Sequence, residues 1–392
     1  MSGQLATFDE LQNALATAGV DAAFTRLIEE LRSRRKYHEL FEALKMRLRF
    51  QLGLPLRYND LGDDLDETRR NRLEDGLLEA CREVGACLLA NGRIREGWMY
   101  LRPVGDRAQA AQALAAVKAD EDNLDELVEV ALHEGVDPAL GYRLVLEHYG
   151  TCNAITTYET VVRRQRSADQ QVAAGLLVEH VHRDLLASVR ADISRQEGRE
   201  PAERTLAELV ADRDWLFGEH SYHIDTTHLA STVRYARILE DPRLIRLALD
   251  LTAYGRRLSP QFQYVGDEPF VDTYPDHALF FQALLGEEVD QAVEFFRRKA
   301  TELDPGQHGT EAVEACVQLM SRLGRHQEAM DVLLRYAQTD DAQTGRVVPM
   351  LLELAKSCGD YQAVRDFCRE RDDLLGFASA LIEAAGEPSK AT

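Results

Sequence analysis

Several things are scarce or missing in this chain, and each absence excludes a class of protein. Proline occurs 11 times in 392 residues and aromatic residues make up 7%. No run of about 18 apolar residues occurs, which excludes a membrane-spanning helix. The N-terminal MSGQLATFDELQNAL has no basic stretch followed by an apolar core, so no secretory signal is expected. The six cysteines, at 81, 87, 152, 316, 358 and 368, form no CxxC pair. Their gaps fit neither a zinc knuckle nor a disulfide framework, so they read as free thiols of a reducing, cytoplasmic compartment. Positive charge is also short: 46 Lys and Arg stand against 67 Asp and Glu, a net charge of −21. Such a surface repels phosphate backbones and anionic lipid, so neither nucleic acid nor membrane is an expected partner. The basic run RRQR at Arg163–Arg166 reads as the solvated side of a helix. Local catalytic signatures are missing as well: there is no GxxxxGK[ST], GxGxxG, GxSxG or HExxH.

What is present is helix-forming sequence. Ala, Leu, Glu and Arg dominate, and their side chains lose little freedom in a helix. Apolar residues recur at i, i+3 and i+4, as in Leu27, Leu31, Tyr37, Leu40, Phe41 and Leu44, and again in Leu244, Leu247, Leu251 and Tyr254. Sustained alternation with period two is absent. The spacing predicts an all-α chain. In SRQEGREPAERT (194–205) the charged stretch predicts an inter-helix loop, with Pro201 opening the next helix.

The helices show an internal rhythm near the C-terminus. LLGEEVDQAVEFF, RLGRHQEAMDVLL and SCGDYQAVRDFC each carry a glycine turn before a polar helix start, and Gly286, Gly324 and Gly359 are 38 and 35 residues apart. That period suits stacked helical hairpins, with glycine supplying the left-handed residue at a helix end. CREVGACLLANGRIREGWMYL adds a second pattern: Gly85 as a small residue in a first helix, Leu88 three later, Gly92 at the turn and Glu96–Gly97 in the second helix. Gly324, Glu328 and Ala329 repeat the turn, and AVEFFRRKATELDP ends on a Leu-Asp-Pro stop at Pro305. On these residues the chain resembles tetratricopeptide-repeat proteins, over roughly 25–125 and 280–385. The resemblance implies an α-solenoid of helical hairpins that binds a protein or peptide. The division expected is 1–140 and 286–392 as repeat arms around an elaborated central helical module, 141–285.

The central module concentrates the chain's polar chemistry. Seven of the eleven histidines fall between His148 and His277. GEHSYHIDTTHL packs His220, His223, Asp225 and His228 into one stretch. On one unbroken helix His220 and His223 would lie about 60° apart, but His223 and His228 about 140° apart, so a single helix could not aim all three at one ion. His182, in EHVH, and Asp276 and His277, in YPDH, are further donors from elsewhere in the chain. His148 and Cys152 stand four apart, within reach of each other on a helix, but Gly150 and Thr151 between them argue for a packed thiol over a nucleophile. Trp215 and Phe217 read as anchors of their segment.

Two functions follow. The leading expectation is a scaffold whose groove, lined by His148, Tyr222, His228, Asp272 and His277, binds a protein or peptide without a cofactor. The alternative is a helical enzyme holding zinc, iron or manganese through His182, His220, His223, Asp225, His228 and His277. Under the first, HYGTCNAITTYE, GEHSYHIDTTHL and QYVGDEPFVDTYPDH should converge on one concavity.

Overall fold

The computed structural model describes residues 2–56, 65–218, 222–303, 308–339 and 344–386. The protein is all-α: among the described residues the one departure is an isolated antiparallel bridge between Val265 and Asp272. No helix among them is long and apolar enough to cross a membrane. The chain divides into two compact units, 1–150 and 151–392.

In the first unit, helices α1 (Ser2–Ala18), α2 (Val20–Ser33), α3 (Tyr37–Gln51), α4 (Glu67–Ala90) and α5 (Ile94–Leu101) each pack on the next. The helical period puts Ile28, Tyr37, Leu40, Ala43, Val84 and Leu88 into one buried cluster, and burying that apolar surface is what holds α2, α3 and α4 together. The α4–α5 hairpin depends on glycine. A Cβ on Gly85 would lie 3.0 Å from the Gly97 carbonyl oxygen and 2.6 Å from Leu101, and one on Gly97 would lie 3.0 Å from the Gly85 oxygen. The two backbones therefore touch. Gly92, at φ 74°, makes the turn between them. Then follow α6 (Arg107–Ala115), α7 (Leu124–Val128) and α8 (Pro138–Leu144), the last two each running on into a wide π turn.

The second unit starts with α9 (Gly150–Thr160) and the 31-residue α10 (Ser167–Glu197). One stripe of α10, with Ala174, Leu177, Val178, Val181, Leu185 and Val189, is wholly buried. Against it lie the short α11 (Leu206–Val210), α12 (Thr226–Tyr235) and α13 (Pro242–Gly255). Pro201 does not open a helix. The chain leaves α10 through the left-handed Gly198 and re-enters helix at α11 behind a Thr205 cap, because Thr205 and Glu208 form a reciprocal capping box. Pro201 instead presents its carbonyl to Arg190, 2.8 Å away.

From α14 (Thr273–Leu284) onward the helices come in hairpins: α14 with α15 (Val289–Glu302), α16 (Glu311–Arg322) with α17 (His326–Thr339), and α18 (Thr344–Cys358) with α19 (Tyr361–Glu370), followed by α20 (Leu374–Gly386). Gly286, Gly324 and Gly359 sit at the three hairpin turns with φ of 83°, 74° and 80°. Pro305 lies outside the described residues.

Candidate functional site

Three of the six singled-out histidines, His182, His223 and His277, are already engaged. His182, on α10, reaches Asp250 of α13 at 2.7 Å. The same carboxylate accepts the backbone N–H groups of Leu206 and Ala207 at 2.8 Å. It thereby caps the first turn of α11, a negative group placed where unpaired donors converge. One hydrogen-bond-accepting carboxylate thus ties α10, α11 and α13 together. His223 stands just before α12, with Nδ1 2.9 Å from the Tyr254 hydroxyl and Nε2 3.1 Å from Asp192. A carboxylate accepts only, so Nε2 carries a proton and Nδ1 receives the Tyr254 O–H in the neutral ring.

Asp225 caps α12, accepting from the Thr227 and His228 amides, and its carboxyl is held below the usual range chiefly by the Thr227 hydroxyl. The helix begins only at Thr226, so GEHSYHIDTTHL is not one helix and His223 lies outside it. His228 is half-buried one turn in. His220 lies outside the described residues. Among those described, no three His, Cys, Asp or Glu side chains are grouped so as to hold a metal ion.

The loop 256–272 folds back on α12 and α14. Tyr222, half-exposed, meets the Phe262 ring edge-on at 5.0 Å, and Thr226 lies 3.3 Å from the Tyr264 hydroxyl. Two of the three expected stretches therefore adjoin. Asp272 is the residue before α14, and its N–H donates to Asp276 at 2.9 Å. His277 is buried, and its Nδ1–H donates to the Thr273 carbonyl at 2.6 Å. That fixes the tautomer and leaves Nε2 a bare acceptor with no partner among the described residues. Burial drives the ring down to about 3, so it is neutral. His148 closes the first unit and Cys152 opens the second, both exposed. The thiol–imidazole pair is not built within either unit.

At the far end of α12 the second unit has a cleft of about 280 Å³. One wall comes from Tyr158 at the end of α9, Arg163 on the 3₁₀ turn 162–164, Arg234 and Tyr235 ending α12, and Arg237 on the 3₁₀ turn 236–238. Glu311 and Glu314 of α16 line the other. Tyr158 and Tyr235 stack at 4.2 Å with an interplanar angle of 17°. Beside them Glu159 accepts from the Tyr235 hydroxyl and, at 2.9 Å each, from Arg163 and Arg234. Burial works to raise that carboxyl, but the hydrogen bonds and Arg234 outweigh it and hold it below its ordinary range.

Arg237 differs from its neighbours. Its guanidinium carbon stands 4.6 Å over the Phe270 ring, and Phe270 stacks on His277 at 4.2 Å. Its Nε–H donates to the Arg234 carbonyl at 3.2 Å, yet it has no ion pair among the described residues. Burial, then the charges of Arg234 and Arg163, pull it down to about 10. The turn that carries it is clamped from α16, where the half-buried Arg322 donates to the carbonyls of Arg237, at 2.7 Å, and Leu239. HYGTCNAITTYE reaches this cleft through Tyr158 and Glu159, and QYVGDEPFVDTYPDH backs Arg237 through Phe270.

Sequence reading missed the cleft. RRQR was visible, but it spans a 3₁₀ turn and a helix start, and Arg163 lines the cleft instead of an open helix face. Arg234 and Arg237 look like ordinary surface arginines until α9 and α16 are placed beside them. No family model matches the chain, and no curated protein matches it.

Proposed function

We propose that this protein is a scaffold of tetratricopeptide-like hairpins, arranged as an α-solenoid, that binds a protein or peptide segment through its central module. The observation that carries the reading is the Arg237 cleft: a guanidinium backed by Phe270 has no ion pair among the described residues, in a chain with a surplus of carboxylates. Stacked hairpins present extended surfaces to partners, and an arginine beside aromatic rings is a common anchor for a partner's side chain. The glycine-turned hairpins support the repeat resemblance. The metal-dependent alternative draws no support from its ligands, since His182, His223 and His277 are each hydrogen-bonded within the fold and point to no shared centre.

The test is selection from a displayed peptide library on the full chain, run in parallel on Arg237→Ala. The reading expects one convergent motif on the parent that Arg237→Ala fails to enrich. Equal enrichment by both proteins, or none by either, would contradict it.

A further inference from the structure

We infer that the cleft receives a phosphate group carried on a phosphorylated side chain of the partner's segment, with Arg237 as the central donor and Arg163 and Arg234 at its flanks. This rests on the reading of the cleft as the recognition site and names the chemistry it recognises.

The donors are arranged for it. Arg237 gives its Nε–H to a backbone carbonyl, and its two terminal nitrogens have no hydrogen-bond partner among the described residues. Arg163 commits one terminal nitrogen to Glu159, and so does Arg234. The remaining nitrogens of both stay available, on side chains that are 61% and 49% exposed. Three guanidinium groups thus share one wall with a single carboxylate, which pairs with two of them, leaving an excess of positive charge on that wall. A planar carboxylate engages one guanidinium fork, whereas a phosphate monoester presents three oxygens and close to two charges. The phosphate matches both the number of arms and the charge left over. A half-buried cation without a partner is costly, and an arriving dianion removes that cost.

The cleft is also prepared in advance. Phe270 fixes the plane of the Arg237 guanidinium from behind, and Arg322 holds its turn. On the opposite wall Glu314 is held by Thr310 at 2.7 Å and Arg346 at 2.9 Å. Glu311 is exposed and faces the cleft. It repels an anion there, so neutralising it should strengthen binding. A purely structural role for the arginines gives no reason for that gain.

The experiment measures binding of the full chain to matched phosphorylated and unphosphorylated peptide libraries, and to inorganic phosphate, sulfate and acetate, for the parent, Arg237→Gln and Glu311→Gln. The inference expects phosphorylated peptides to bind about tenfold or more tighter than their unphosphorylated forms, the worth of one charge-assisted hydrogen bond. It expects Arg237→Gln to abolish that difference and Glu311→Gln to enlarge it. Because Arg237→Gln could disturb the fold, Glu311→Gln at an exposed position is the independent check. Unphosphorylated peptides binding as tightly as phosphorylated ones would overturn the inference and leave partner binding standing. Inorganic phosphate binding at the cleft with no peptide exceeding it would overturn partner binding, and with it a phosphate carried on a partner. Binding of all probes unchanged in both variants would overturn the cleft itself.

Discussion

Asp276 and His277 are adjacent, and burial pushes their ionisation in opposite directions. The Asp276 carboxyl rises from 3.8 to about 6, chiefly from desolvation, against the pull of the Asp272 amide and Lys299. Between about pH 4 and 6 the folded chain therefore holds a proton there that the unfolded chain has lost, so this group's contribution to stability falls as pH rises. His277 falls from 6.5 to about 3. There the unfolded chain holds the extra proton, so its contribution rises across about pH 3 to 6.5. The two slopes oppose each other. Asp276→Asn keeps an acceptor for the Asp272 amide and removes only the falling slope. Relative to the parent it should gain stability from pH 4 to 6, approaching about 2–3 kcal/mol at neutral pH. Urea unfolding at several pH values measures it, and a difference that stays flat would mean the carboxyl ionises normally. The thiols divide in the same way. All six cysteines are free; Cys152 is exposed, whereas burial pushes Cys316 up to about 12 and Cys368 up to about 11. A thiol reagent should label Cys152 early and reach Cys316 and Cys368 only on unfolding. Early labelling of Cys316 would contradict the packing of α16. Residue types were legible at both places, since YPDH and the cysteine spacings stand out in the sequence. Burial was not: for Asp276 and His277 it depends on how the loop 256–272 returns over α12 and α14, and for Cys316 and Cys368 on how neighbouring helices pack on α16 and α19.

Helices and their turns were the most legible part of the chain. The spacing of Gly286, Gly324 and Gly359 reads directly as hairpin turns because a left-handed backbone residue is required there and other residues pay about 1 kcal/mol or more for it. Gly85 and Gly97 were legible for another reason, since small residues facing each other let two helix backbones touch. Replacing Gly85 with Leu drives a side chain into Leu101 and the Gly97 carbonyl, and should cost about 1–3 kcal/mol. Thermal unfolding checks it, and an unchanged melting temperature would sink the close α4–α5 crossing. Where sequence reading failed, the cause was local chemistry. Pro201 suggested a helix start, but Thr205 and Glu208 satisfy each other's backbone donors and win the position. In GEHSYHIDTTHL the Asp225 cap cuts off the assumed helix before His223.

At the scale of the whole molecule the sequence is dominated by its net charge of −21, which argues against anionic partners in general. The arginine wall of the cleft is a local reversal of that field, faced by Glu311 and Glu314 on the other wall. The cleft was not legible because its parts are far apart in sequence: Arg234 meets Glu159 across 75 residues, and α16 supplies the facing wall. Long-range repulsion is screened beyond about 8 Å at physiological salt, so short-range donors decide whether an anion stays. The central claim is that Arg237 and its neighbours form a binding site for a partner's phosphate group, opposed by Glu311. The most direct test is the affinity of a selected phosphopeptide for the full chain and for Glu311→Gln, at one pH and one salt concentration. The account predicts tighter binding to Glu311→Gln by severalfold, about 1 kcal/mol of lost like-charge repulsion at a partly solvated site. Equal or weaker binding to that variant would contradict it.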